Sequence, residues 1–228
     1  MIAGGLFYKD ITDLIQKYTK TDIYPDPMNP GQCIPGDEED DVDENGCKLW
    51  DITQPLNGPK AELKGFELNV HADFTFLPGF LANMGVAANY TYNDSEATLL
   101  NPDTGETVDA DFNLPGLSET SYNVTLYYET KKFDARISYN YRDDYLQQAF
   151  GGQNNTNYHH DYDQLDFQMG YNFTDRVRAT FQAVNLTNSW KYGYQGWFPQ
   201  WPQSGDTSRL KFLNYDGTSY RLGVTVNF

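Results

Sequence analysis

Apolar and polar side chains alternate along one stretch of the chain with no position out of phase. One set of alternate positions is apolar or aromatic, comprising Phe133, Ala135, Ile137, Tyr139 and Tyr141. The other set is polar or charged, comprising Asp134, Arg136, Ser138, Asn140 and Arg142. Because successive side chains of a β-strand point to opposite faces, this pattern predicts a strand with one apolar and one polar face.

Other segments repeat this two-residue period, the first of them more weakly because its glycines blur the phase. They are Ala3 to Lys9, Phe66 to Phe76, Met84 to Tyr92, Tyr122 to Tyr128, Leu165 to Tyr171, Val177 to Ala183 and Ser219 to Phe228. With Phe133 to Arg142 this makes about eight long strands, an even number, as is usual for antiparallel transmembrane barrels.

Short and long connections alternate between these segments. The short ones are Leu77 to Leu81, Lys131 to Lys132 and Phe173 to Arg176; the long ones are Lys17 to Lys60, Ser95 to Thr120, Leu146 to Asp161 and Asn188 to Asn214. Outer-membrane barrels pair short periplasmic turns with long extracellular loops, and soluble domains rarely carry so many long loops without secondary structure. We therefore predict an all-β fold, an antiparallel transmembrane β-barrel fragment. A soluble two-sheet sandwich, which also alternates, is the alternative.

Charge and hydropathy narrow the classes of partner. The formal net charge of -16 and the pI near 4.3 argue against binding a phosphate backbone, so no nucleic-acid partner is expected. The mean hydropathy of -0.67 does not exclude a membrane barrel, because such a barrel exposes only alternate residues to lipid.

The beginning of the sequence carries no recognisable signal peptide. Its apolar run from Met1 to Tyr8 is interrupted by Lys9 and Asp10. We therefore expect either a cytoplasmic protein or a sequence that begins within a longer chain.

Three stretches resemble the C-terminal β-barrel of TonB-dependent receptors. They are Gly4 to Ile11, Lys64 to Gly79 with Gly65-Phe66-Glu67 and Phe76-Leu77-Pro78-Gly79, and Ala183 to Phe228 with Val184 to Asn188 and Tyr220 to Val224. The resemblance covers essentially the whole chain in order. It implies that residues 1–228 are the C-terminal part of such a barrel. It also implies that Phe228 belongs to the signal recognised by the outer-membrane barrel assembly machinery; the alternative is a plain apolar strand end.

The family has about 22 strands around an N-terminal plug that contacts the TonB energy-coupling complex, and this sequence shows neither the plug nor the earlier strands. Because about eight strands cannot enclose that lumen, we expect a curved open sheet or a fragment of a larger chain. A self-closed eight-strand barrel is the rival geometry. Hydrogen bonds between Ala3 to Lys9 and Tyr220 to Phe228 would contradict the open sheet.

The resemblance implies a receptor in the bacterial outer membrane for energy-coupled uptake of a scarce or bulky ligand, such as a carbohydrate, a siderophore or cobalamin. Its partners would be membrane lipid, the TonB complex through the plug, and the assembly machinery. Polar residues expected to line the plug-facing wall are Arg136, Asn140, Arg142, Asp166 and Gln168. The alternative is a small self-closed barrel with a structural or adhesion role.

No enzyme is predicted. The histidines are His71, which is expected to face the lumen, and His159 and His160, which lie in a loop near Asp161 and Asp163. That loop offers no evident serine or cysteine nucleophile, so a solvated polar loop is the preferred interpretation. An outer-membrane hydrolase would need a nucleophile and a base that converge at the rim.

The connection from Thr19 to Lys60 contains both cysteines, Cys33 and Cys47. An extracellular loop lies in an oxidising compartment, so a disulfide is expected, and closing a loop of about 15 residues stabilises by on the order of 3 kcal/mol. Two free buried thiols are the alternative.

The same connection has an acidic run that matches half of a calcium-loop pattern. Asp41, Asp43, Asn45 and Gly46 fit D-x-[DN]-x-[DN]-G, in which alternate oxygens converge on a hard cation. The position of the bidentate glutamate is Ile52, although Asp51 is adjacent. The tentative calcium ligands are therefore Asp41, Asp43, Asn45 and Asp51, and a solvated acidic loop without any cofactor is the preferred alternative.

Aromatic residues crowd into the last long connection. They are Trp190, Tyr192, Tyr194, Trp197, Phe198 and Trp201. Exposed aromatic faces suit stacking on sugar rings or other flat ligands, so we predict that they bind a small molecule or an oligosaccharide. An internally packed loop or an interfacial anchor is the alternative.

Overall fold

The structure is a computed structural model that describes residues 1–37, 40–102, 104–150, 156–196 and 209–228, and only the backbone of residues 109–111. Within these ranges no helix has the length and the apolar run needed to cross a bilayer. The chain forms two compact units. We call them the sheet unit (Met1–Lys9, Glu62–Glu96 and Asn113–Phe228) and the hairpin unit (Asp10–Ala61 and Ala97–Phe112).

The described ranges are mostly β-strands with one short 3-10 helix, Gly79–Asn83. In chain order the strands are β1 (Ile2–Ile11), β2 (Ile15–Ile23), β3 (Leu49–Asn57), β4 (Ala61–Asp73), β5 (Met84–Leu100), β6 (Thr107–Phe112), β7 (Thr120–Glu129), β8 (Phe133–Arg142), β9 (Tyr145–Gln148), β10 (Thr156–His159), β11 (Tyr162–Asn172), β12 (Val177–Val184), β13 (Lys191–Gly196), β14 (Arg209–Asn214) and β15 (Ser219–Val226).

The principal sheet joins the long strands in the order β1-β4-β5-β7-β8-β11-β12-β15. Each predicted strand is present. The strands of this sheet occur in the same order in space as along the chain, and the strands left out of the order belong to the connections between them. β1 and β15 are the two edges of this sheet. The prediction of an open antiparallel sheet is therefore confirmed, and the self-closed geometry is not observed.

Two strands end earlier than the prediction has them. β4 ends at Asp73 rather than Phe76, because Leu77 N–H donates to the Phe74 carbonyl at 2.8 Å and turns the chain. β15 ends at Val226, which pairs with Val177, the first residue of β12. Phe228 therefore lies beyond the strand, with its side chain exposed.

The long connections carry strands of their own, so the expectation of structureless loops is wrong. β2 and β3 form a hairpin, β5 continues to Leu100 and pairs with β6, and β9, β10, β13 and β14 form a separate sheet in the order β14-β13-β10-β9. β9 and β10 have only four residues each, too few to show a two-residue period in the sequence.

The register of the principal sheet keeps the two residue classes on opposite faces. Between β8 and β11, Ile137 lies opposite Phe167, whereas Arg136 lies opposite Gln168. Apolar residues on the first face are exposed, and Leu222 of β15 keeps 86% of its surface. We call the two sides the apolar face and the polar face. An exposed apolar face of this kind is stable only when it contacts lipid or another apolar surface.

The polar face is held by side-chain hydrogen bonds between neighbouring strands. Asn123 Nδ2 donates to Asn89 Oδ1 at 3.0 Å, and the hydroxyls of Thr125 and Ser138 are 2.9 Å apart. Cross-strand polar pairs of this type each contribute roughly 0.2–1 kcal/mol. They order the polar face without removing it from water.

In the hairpin unit, one glutamine of β2 and a small apolar core contact the extension of β5. Gln16 of β2 accepts a hydrogen bond from Leu100 N–H at 2.8 Å and donates to the Thr98 carbonyl at 3.4 Å. Ala97, Leu99 and Phe112 are buried in this unit. The extension of β5 therefore packs against β2, a contact that the sequence of β5 alone does not predict.

A glycine on the polar face makes room for an aromatic ring. A Cβ on Gly85 would lie 2.3 Å from Cζ of Tyr127. The Tyr127 hydroxyl donates to Asp73 Oδ1 at 2.5 Å and is 2.9 Å from Nε2 of His71. Because the Tyr127 ring lies against the β5 backbone at Gly85, its hydroxyl reaches β4 and the hydrogen bonds link β7 to β4 across β5.

We expect Gly85→Ala to destabilise the sheet by about 1–3 kcal/mol, because the added methyl group displaces the Tyr127 ring and breaks its hydrogen bonds. The measurement is the urea midpoint of the folded protein in detergent. Gly5→Ala is the matched control, since a Cβ on Gly5 meets nothing within 4 Å. Equal midpoints for the two variants would contradict this assignment.

Candidate functional site

The candidate site is the small sheet formed by β9, β10, β13 and β14, which we call the loop sheet. Its strands come from two long connections, one between β8 and β11 and the other between β12 and β15. Tyr158 lies opposite Tyr194 and His159 lies opposite Gly193, in antiparallel register. This pairing brings aromatic residues that are far apart in sequence onto shared faces.

One face of the loop sheet presents tyrosines and a histidine. The rings of Tyr158 and Tyr194 are stacked with centroids 5.2 Å apart, and Tyr192 stacks on His160 at 4.2 Å. The Tyr194 hydroxyl donates to Asp144 Oδ2 at 3.1 Å. Burial, together with this carboxylate, raises the pKa of Tyr194 to about 12, so the phenol stays neutral and acts as a donor.

An open cleft of about 610 Å³ lies along this face. Its lining consists of three carboxylates, two phenols, an imidazole and one leucine: Asp143, Asp144, Asp161, Tyr192, Tyr194, His160 and Leu210. His160 Nδ1 contacts the Asp161 carboxylate. The cleft therefore combines flat rings for stacking with hydrogen-bond acceptors.

The opposite face places His159 between two aromatic rings. The Tyr145 ring is 4.8 Å away and nearly parallel, and the Phe212 ring meets His159 edge-on at 4.9 Å. Phe212 crosses Gly193, where a Cβ would lie 2.3 Å from the ring. Burial lowers the pKa of His159, and the charges of Arg142 and Lys211 lower it further.

The structure brings together only part of the predicted aromatic group. Tyr192 and Tyr194 lie on β13 at the cleft, whereas Trp190 packs on Tyr215 with centroids 4.7 Å apart. Trp197, Phe198 and Trp201 lie outside the described residues. Sequence reasoning missed three aromatics of the loop sheet: Tyr145, Tyr158 and Phe212. Their positions depend on the register of very short strands, which leaves no periodic signal.

Asn185 organises the exit from β12 toward this sheet. It is buried, with φ of 60°, and its Nδ2 donates to the carbonyls of Ser189 and Gly217 at 3.2 and 3.3 Å. Its own N–H donates to Asp166 Oδ1 at 2.9 Å. Asparagine tolerates this left-handed backbone better than most residues, so the Val184 to Asn188 motif has a local structural reason.

The predicted wall residues lie on strands of the principal sheet. Asp166 receives the Asn185 N–H and the Gln164 amide, and Arg142 donates to Ser118 Oγ at 2.7 Å and to the Gly116 carbonyl at 2.5 Å. The other members of this predicted set are Arg136, Asn140 and Gln168. They lie at alternate positions of the same register, on the polar face. His71 also lies there, beside Tyr127.

Cys33 and Cys47 form a disulfide, with Cα atoms 5.6 Å apart. Beside it, Asp43 Oδ1 accepts hydrogen bonds from Cys47 N–H at 2.8 Å and Asn45 N–H at 3.0 Å. The Cys47 N–H lowers the pKa of Asp43 most, and the bonds from Asn45 lower it further. This carboxylate orders the turn that the disulfide closes.

The four tentative calcium ligands are not assembled into one cluster. Asp51 lies on β3 and accepts from Thr21 Oγ1 at 2.9 Å, while Asp41 contributes its backbone carbonyl to Leu49 N–H. In the part of the chain that the structure describes, no group of three acidic, histidine or cysteine side chains is arranged to hold a metal ion. Calcium binding by this loop stays a prediction.

Comparison with known proteins shows the family to which this chain belongs. A model of the family described as TonB dependent receptor-like, beta-barrel matches residues 2–188. The chain belongs to this family. No curated protein matches it. The sequence resemblance and the all-β antiparallel fold are thereby confirmed.

Two solved structures from Acinetobacter baumannii share the fold. The siderophore receptor PiuA is 18% identical with a TM-score of 0.52, and the match covers 76% of this chain and 23% of PiuA. The siderophore receptor PirA is 15% identical with a TM-score of 0.54, and the match covers 100% of this chain and 29% of PirA. This TonB-dependent receptor-like chain thus spans less than a third of each receptor.

We expect the loop sheet of this family member to open more readily as the pH falls below about 6.5, the ordinary pKa of histidine. His159 has a lowered pKa, so acid protonates the unfolded form first and the stability present above that pH is lost. Hydrogen–deuterium exchange of residues 156–159 should therefore be faster at pH 5 than at pH 7.5 after correction for the intrinsic rate.

His159→Phe keeps a ring between Tyr145 and Phe212 and should remove this pH step, whereas His160→Gln should retain it. A step that persists in His159→Phe would assign the effect to another group.

The calcium hypothesis predicts a measurable heat on isothermal titration of the protein with CaCl₂. It also predicts that Asp43→Asn weakens calcium binding at least about tenfold, because a charged ligand is lost. Asp175→Asn, in the short turn before β12, is the charge-matched control. Absence of any heat for the unmodified protein would remove the calcium hypothesis.

Proposed function

We propose that this chain forms terminal wall strands of an outer-membrane receptor that takes up a scarce or bulky ligand by TonB-dependent energy coupling. The observation that supports this most is the principal sheet itself, which has an exposed apolar face and a hydrogen-bonded polar face in a chain of the receptor family. A bilayer covers the first face, and the second lines a lumen.

The plug belongs, under this proposal, to another part of the receptor and contacts the polar face. That face carries unlike charges at neighbouring positions: Asp134 is paired with Arg178 at 2.6 Å, while Arg136 lies opposite Gln168. A wall of this type offers many weak polar contacts, which suits a plug that must rearrange when TonB pulls on it. Membrane lipid and the barrel assembly machinery, through Phe228, are the remaining proposed partners.

Ligand capture is proposed at the loop sheet. Tyr192 and Tyr194 line its larger cleft, and connections between barrel strands are where recognition residues concentrate. PiuA and PirA, whose fold this chain shares, are both siderophore receptors, and this favours a siderophore as the ligand. The stacked rings equally suit a carbohydrate, and cobalamin is a third candidate.

Uptake assays separate these ligands. A strain lacking the gene should lose accumulation of one labelled ligand among a ferric siderophore panel, cobalamin and maltodextrins, and the complete gene should restore it. A protonophore should abolish accumulation but leave surface binding, because coupling requires the proton gradient. Accumulation that survives the protonophore would contradict a TonB-dependent function.

The aromatic residues should affect uptake without affecting assembly. We expect the double variant Tyr192→Ala, Tyr194→Ala and the double variant Trp197→Ala, Trp201→Ala each to reduce uptake at least about tenfold, since stacking contacts of about 1 kcal/mol each are removed. Trp50→Ala, in the hairpin unit, is the control. Unchanged uptake in both double variants, with normal amounts in the membrane, would favour a purely structural role for these rings.

A further inference from the structure

A second, smaller cavity lies on the His159 face of the loop sheet. Its volume is about 240 Å³. This is below the roughly 300–1,000 Å³ of sites that hold a whole drug-sized ligand, so the cavity is sized for one ring or side group of a larger molecule. Its walls are the rings of Tyr145, Tyr162, His159 and Phe212, and its lining also includes Arg142 and Lys191.

Arg142 brings a positive charge that makes no salt bridge with any residue the structure describes. Its guanidinium donates to Ser118 Oγ and to the Gly116 carbonyl, both of them neutral groups, and lies 3.9 Å above the Tyr145 ring. These bonds use Nε and Nη2, so the direction of the guanidinium is set while other N–H groups remain available to a ligand.

Lys191 supplies a second positive charge. Its Nζ lies 4.9 Å from the centre of the Tyr162 ring and 3.6 Å from Asp216 Oδ2, a long and exposed ion pair that is worth little. Asp143 is the single carboxylate residue in the described lining, and its Oδ1 already accepts from Asp144 N–H at 3.0 Å.

The imidazole of His159, which is part of the cavity wall, also lies near positive charges. The pKa of this imidazole is lowered by burial first and then by the positive charges of Arg142 and Lys211. The chain as a whole has a formal net charge of -16. The described lining has two cationic side chains and one carboxylate, and a ring-lined cavity of this kind favours a ligand that brings a negative charge and a flat surface to the same place.

We propose that this cavity binds an aromatic carboxylate group of the transported ligand, with the ring lying among Tyr145, His159 and Phe212 and the carboxylate facing Arg142 and Lys191. The proposal rests on the proposed uptake function for its biological meaning. It adds the charge and the planarity of the group that the receptor selects. The cavity shares Asp143, His160 and Tyr192 with the tyrosine-lined cleft and differs from it in the rings of Tyr145, His159, Tyr162 and Phe212.

The test uses 2-naphthoate as the probe and its neutral amide, 2-naphthamide, as the matched compound. Binding to the purified, complete gene product in detergent is measured by fluorescence titration at pH 7.5. We expect naphthoate to bind at least about tenfold more tightly than naphthamide. Arg142→Gln and Lys191→Gln should each weaken naphthoate about five- to tenfold and leave naphthamide unchanged, because only the charge interaction is lost.

Lys132→Gln, in the short turn between β7 and β8, removes the same charge at a distance and should leave both affinities unchanged. Lys191→Gln keeps the test valid if Arg142→Gln disturbs the Gly116 turn. Equal binding of naphthoate and naphthamide, or equal effects of Lys132→Gln and Lys191→Gln, would overturn the proposal. Either result can occur while protonophore-sensitive uptake persists, so it would leave the transport function standing.

Discussion

Antiparallel backbone pairing sets the register of every long strand in the principal sheet. Each long strand must match its neighbours residue by residue, as Phe133 does with Tyr171 and Arg142 with Tyr162. A slip by one residue would exchange the two faces of a strand and put charged groups among apolar ones. The register therefore maintains an apolar face and a polar face across the whole principal sheet.

The same constraint explains where special residues occur. Gly85 is needed because the Tyr127 ring crosses the backbone of β5, and Asn185 is suited to its place because the chain turns there through a left-handed conformation. At both positions the residue type is set by contacts other than the backbone hydrogen bonds between strands. Gly85 acts through packing on the polar face, and Asn185 acts through hydrogen bonds that connect β12 with the approach to β15.

The loop sheet has two chemically different faces because β10 alternates like any other strand. Tyr158 points toward Tyr194, and His159 points to the side of Tyr145 and Phe212. His160 then follows beside Tyr192. Two adjacent histidines thus belong to different surroundings, one near carboxylates and one near cations.

The long strands and their faces follow from the order of residues alone, because a two-residue period over eight to ten positions reports directly which side of a strand each residue occupies. The family follows from the resemblance of three stretches and their order along the chain. The loop sheet does not follow from the order of residues. β9 and β10 are too short for such a period, and the meeting of Tyr145 with His159 and Phe212 depends on pairing between connections distant in the chain. That contact could be seen only in the folded chain, since register between separate segments is set by their joint packing rather than by either segment alone.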